Sequence, residues 1–104
     1  MPRVPLVLAL VAASILCGAQ MATAAPIREC GGMPNELAGN ITTRVVECAE
    51  ARRVVKAWNR TVASQGGSGH VRGLSCRYRD IAYEAGDIRC TGSRGRVVRW
   101  QTSS

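Results

Sequence analysis

The sequence predicts an α+β fold: one amphipathic helix packed on a small antiparallel sheet, in the order β-α-β-β-β, stapled by two disulfides. Three observations predict it. Apolar residues recur at steps of three and four from Cys48 onward, which is helical spacing. The C-terminal third alternates apolar and polar residues, which is strand spacing. Behind a leader-like first segment stand Cys30, Cys48, Cys76 and Cys90, an even number in a short chain.

Residues 1–24 read as a secretory signal peptide. Arg3 gives a positive start, an apolar run follows from Val4 to Leu16, and Ala22-Thr23-Ala24 fits an A-x-A cleavage pattern. The run is about 13 residues, well short of the roughly 20 that a transmembrane helix needs. A lipoprotein reading at Cys17 is disfavoured by bulky Leu16 before it. No second apolar segment follows that could span a membrane after cleavage.

The chain has 104 residues, no Phe and 4% aromatic residues. That is one domain with little bulky side chain to bury, so cross-links have much to contribute. A four-cysteine zinc site wants C-x-x-C pairs, and none is present.

Residues 25–40, with Pro26, Pro34 and three glycines, are expected to form an irregular arm tied down by Cys30, ahead of a domain over residues 41–104. Ile41 to Glu47 is rich in β-branched residues and predicts the first strand. Cys48, Ala51, Val55, Trp58 and Val62 define one face of a helix over roughly Cys48 to Ala63, with Glu50, Arg52, Arg53, Lys56 and Arg60 opposite. The glycines from Gly66 to Gly69 predict a flexible loop.

Three strands follow. Leu74, Cys76 and Tyr78 face inward from the first, with Ser75, Arg77 and Arg79 outward. After a connector over residues 80–86, Ile88 and Cys90 face inward, and Asp87, Arg89 and Thr91 outward. A Gly92-Ser93-Arg94-Gly95 turn leads to the last strand, with Val98 and Trp100 inward and Val97, Arg99 and Gln101 outward. Cys76–Cys90 with Cys30–Cys48 is one possible pairing. Cys48 could equally pair with either strand cysteine, and the sequence leaves this open.

The run from Thr43 to Val55, then Cys76-Arg77, Gly86 to Thr91 and Arg96 to Trp100, resembles a group of small exported proteins of actinobacteria. These share a signal peptide, a C-x-x-A-R-R-V helix start and a closing R-C-T … R-V-V-R strand pair. The resemblance implies export and the disulfide-bonded fold, and carries no catalytic or binding residues. Glu47 departs from the group, which has Ser before the helix cysteine.

Chemistry-bearing constellations are few. His70 is the lone histidine and stands by the glycine-rich loop, where a solvated residue is expected. Most acids lie within three residues of an arginine, and Glu84 with Asp87 comes nearest to a carboxylate pair. The glycine-rich stretch lacks the Lys-Ser/Thr of a phosphate loop. Asn40-Ile41-Thr42 and Asn59-Arg60-Thr61 match the glycosylation sequon, by chance if the source is bacterial. No catalytic residue, metal or cofactor is expected, and the chain is read as not an enzyme. A minimal enzyme using Glu84 or Asp87 is the third-ranked reading.

Charge is the remaining feature. The formal net charge is +7, and all but one of the 14 basic residues are arginines, a bias that GC-rich codons also produce. The strand phasing places Arg77, Arg79, Arg89 and Arg99 on one solvent face, near Arg94 and Arg96. Such a face attracts anions: acidic wall polymers, anionic headgroups or nucleic acid. Nucleic acid is disfavoured, because Tyr78 and Trp100 point inward and leave no stacking platform. The expectation is thus a small secreted binding module for an anionic envelope component. The alternative is an inhibitor-type module that presents residues 31–40 or 64–70 to a secreted enzyme.

Overall fold

A computed structural model of the chain describes residues 25–63, 67–82 and 85–103. The expected leader, the start of the glycine loop (residues 64–66), and Tyr83 and Glu84 of the expected connector lie outside the described residues. The elements are β1 (Arg28–Met33), β2 (Ala38–Arg44), α1 (Cys48–Thr61), β3 (Ser68–Val71), β4 (Leu74–Ala82), β5 (Ala85–Thr91) and β6 (Val97–Ser103). All six strands join one antiparallel sheet in the order β1-β2-β6-β5-β4-β3. The fold is α+β, one helix on one sheet, stapled by two disulfides.

Helix α1 forms because its apolar residues share one stripe. Ala51, Val54, Val55 and Trp58 are buried, and Val62 continues the stripe just past the last turn. The helix connects β2 to β3, which lie four strand positions apart. Fourteen residues at about 1.5 Å each cover about 21 Å, and four strand spacings cover about 19 Å. Helix length therefore matches the width of sheet it has to cross. Against it the sheet presents Ile41, Leu74, Cys76, Ile88, Cys90, Val98 and Trp100, all buried. Trp58 and Trp100 meet edge to face, ring centroids 6.2 Å apart and planes at 83°.

Glu47 takes the N-cap position without a side-chain cap bond. Its carboxylate instead accepts from Arg28 Nη1 at 3.0 Å, and its carbonyl accepts from the Ala51 N–H. On the solvent side Glu50 accepts two bonds from Arg72 (2.6 and 3.0 Å) and one from Arg53 (3.3 Å). The bond from Arg72, helped by Arg53, holds the Glu50 carboxyl below its ordinary value. A lowered folded-state value means stability that is present above the ordinary glutamate value and is lost as pH falls through the lowered one. Glu50→Gln is therefore expected to flatten the fall of thermal stability below about pH 4.3 and to leave its shape above pH 6 unchanged. Identical acid limbs in melting curves of the two proteins would contradict this.

The cysteines pair as Cys30–Cys48 and Cys76–Cys90. The first ties β1 to the first residue of α1, and the second joins directly opposed residues of β4 and β5. All four are thus spent on structure.

Five expectations are corrected. Residues 25–40 are not an irregular arm: they hold β1, a turn of 3-10 helix at Pro34–Glu36 and the start of β2. The first expected strand is displaced from Ile41–Glu47 to Ala38–Arg44, because Val45 adopts φ +66° and bends the chain toward α1. The glycine loop yields an edge strand, β3. Gly69 packs closely there: a Cβ would lie 3.1 Å from both methyls of Val62, which would have to shift by a few tenths of an ångström.

Tyr78 faces the helix side of the sheet but is 41% exposed, because α1 does not reach that end. Its ring lies over Gly86, where a Cβ would fall 2.2 Å from a ring carbon. The Tyr78 hydroxyl donates to Asp80 at 2.9 Å, and that carboxylate holds the phenol above its ordinary value. Lastly, Asp87 points outward as expected yet is buried, for reasons given below.

Candidate anion-binding face

Period-two alternation puts Arg77 and Arg79 of β4, Arg89 of β5 and Arg99 of β6 on the face opposite α1, and all four are exposed. The register adds what alternation cannot give. Arg77 is directly opposite Arg89, and Arg89 directly opposite Arg99. One transverse row runs Ser68, Arg77, Arg89, Arg99, Thr42, Glu29 across the whole sheet. Adjacent strands lie about 4.8 Å apart, so the three guanidinium-bearing residues span about 10 Å at their backbones.

The next row holds Arg79, Asp87 and Gln101 side by side. Asp87 is flanked laterally by those two long side chains and along its own strand by Arg89. Its side chain is only 6% exposed. Asp87 Oδ1 accepts from Arg99 Nε at 2.9 Å. That bond raises the Arg99 guanidinium further above its already high value, fixing its charge at every accessible pH. Among the described residues, Asp87 is the one acid within the arginine cluster; Glu29 stands at the far edge, two strands from Arg99. No ion pair involves Arg77, Arg79 or Arg89 among the described residues.

Beside Arg99 the face dips into a depression of about 280 Å³ lined by Asn40, Thr42, Asp87, Arg99, Trp100 and Gln101. Asn40 Nδ2 donates to Gln101 Oε1 at 3.0 Å across its rim. In the sequence Asn40 stands out only as part of a sequon; what places it here is a bulge in β2, where it adopts φ +51°. Arg94 is exposed in the β5–β6 turn, whereas Arg96 is committed to that turn through Ser93.

Other chemistry finds less support in the arrangement. His70 is exposed on β3, opposite Ser75, with no hydrogen bond between them among the described residues. No group of three potential metal ligands occurs among the described residues. Of the segments considered for enzyme inhibition, residues 31–40 are mostly built into β1 and β2, with Leu37 exposed at their turn. Leu37 and Ile81 border a second groove, of about 360 Å³, together with Pro34, Ala85 and Gln101. No helix among the described residues is long and apolar enough to cross a membrane. No family model matches the chain, and no curated protein or solved structure matches it.

Proposed function

We propose that the protein is exported, loses residues 1–24, and acts without catalysis by binding an anionic polymer of the cell envelope through the face that carries Arg77, Arg79, Arg89 and Arg99. The observation that carries this reading is the direct opposition of Arg77, Arg89 and Arg99 on three neighbouring strands. Like charges placed opposite one another in an antiparallel sheet are destabilising. A single buried carboxylate offsets them only in part. An arrangement that costs stability in the free protein is relieved by a polyanion laid along the row. Two disulfides suit an oxidising destination.

The reading predicts retention on phosphocellulose or heparin that falls steeply with salt, since binding releases condensed counterions. Arg77→Glu with Arg89→Glu should abolish most of it and lower the salt slope by roughly 2 or more, about 1 for each arginine withdrawn from a phosphate. The same pair of changes turns two like-charge oppositions into one like (77 with 89) and one unlike (89 with Arg99), so the melting temperature should not fall below that of the parent. Unchanged retention by a folded double variant would remove the proposal.

A further inference from the structure

The depression beside Arg99 has a composition that charge attraction alone does not explain. Arginines alone would suit any polyanion. Here they adjoin two groups that accept hydrogen bonds: the Asp87 carboxylate, and the Asn40 carbonyl left over once its Nδ2 has bonded Gln101. Gln101 retains its amide N–H groups, Thr42 offers a hydroxyl, and Arg99 keeps the donors its Asp87 bond does not use. A bare phosphate, sulfate or carboxylate chain brings acceptors only, and offers no donor to Asp87 or to the Asn40 carbonyl. Hydroxyl groups both donate and accept, and vicinal hydroxyls match this mixture of donors and acceptors.

The volume, about 280 Å³, lies just under the range of about 300–1,000 Å³ common for drug-sized ligands. It suits one sugar ring. Arg89 and Arg77 lie one and two strands further on, about 5 and 10 Å away, so they would meet an acidic group on that ring or the next.

We propose that the ligand of the basic face is an anionic polysaccharide, with one sugar unit seated by its hydroxyls between Asn40, Thr42, Asp87 and Gln101 while its acidic groups lie along Arg99, Arg89 and Arg77. This rests on the reading of the face as an anion site and adds a demand for hydroxyl groups. The test measures binding to alginate, a uronic-acid polymer, and to the same polymer with its hydroxyls acetylated, which keeps the carboxylate spacing. Alginate should bind about tenfold more tightly.

Asn40→Gly with Gln101→Ala, where glycine keeps the backbone at its positive φ, should erase that preference and leave the acetylated polymer's affinity unchanged. Arg77→Glu with Arg89→Glu should weaken both polymers. Equal affinity for the two polymers, or a preference that survives Asn40→Gly with Gln101→Ala, overturns the saccharide assignment while the anion-binding reading stands. Failure of both polymers and of phosphocellulose to bind overturns both.

Discussion

Truncating Trp100 to alanine is expected to cost about 4 kcal/mol of folding stability, from the range of about 3–5 kcal/mol for emptying a large buried aromatic site. Trp100 is 1% exposed and stands on the strand next to the middle of the sheet, where α1 presses Trp58 against it edge to face. A domain of this size has a total stability on the order of 4–12 kcal/mol, so the loss would remove between about a third and all of it.

Trp100→Phe should be much milder. It keeps an aromatic ring against Trp58 and removes the indole N–H, which is buried without a hydrogen-bond partner among the described residues. Urea midpoints of the three proteins give the comparison. A loss under about 1 kcal/mol for the alanine variant would mean the core is not centred where the structure places it.

Opening the disulfides should come next in effect. The bonds close segments with sequence separations of 18 and 14 residues, and each is expected to contribute about 3 kcal/mol by restricting the unfolded chain. Replacing Cys30 and Cys48 by Ser should cost about that much, with the extra loss that α1 is no longer fastened to β1. Replacing Cys76 and Cys90 should cost at least as much, since both are buried and serine hydroxyls there would need new partners. Reducing both bonds should unfold the protein at 37 °C, visible as collapse of amide dispersion in the NMR spectrum. A reduced form that keeps a native spectrum would show that packing alone suffices.

What is legible in the sequence follows the strength of each physical signal. Helix α1 is plain because Cys48, Ala51, Val55, Trp58 and Val62 keep a helical interval across its whole length. Strands β4 to β6 are plain because residues on their two faces differ sharply in polarity. Strand β1 is hidden because Gly31 and Gly32 have no side chain with which to show a face, and two register shifts break its pairing with β2. Strand β3 is hidden by the same glycines that let it approach Val62. Their spacing reads as flexibility, although a close backbone approach also demands glycine.

The site is legible in membership and not in arrangement. Alternation puts Arg77, Arg79, Arg89 and Arg99 on one face, but only strand register makes three of them direct neighbours. Asp87 shows the same limit from the other side. Its parity points outward, while its burial depends on Arg79 and Gln101 arriving from two other strands. For Tyr78 alternation gives the correct face and the wrong exposure, since a pattern of faces does not say how far the covering helix extends.

The position of β6 also bears on how the chain can acquire its structure. The last strand in sequence lies between β2 and β5, so the β1–β2 hairpin joins the rest of the sheet only through it. Pairing β2 with β6 links residues near Gly39 to residues near Gln101, a pairing between nearly opposite ends of the domain, and such distant pairings slow folding. A polypeptide still emerging from a ribosome or a translocation channel would lack the piece that unites its two halves. Premature collapse of the sheet is thereby discouraged until β6 is available to pair.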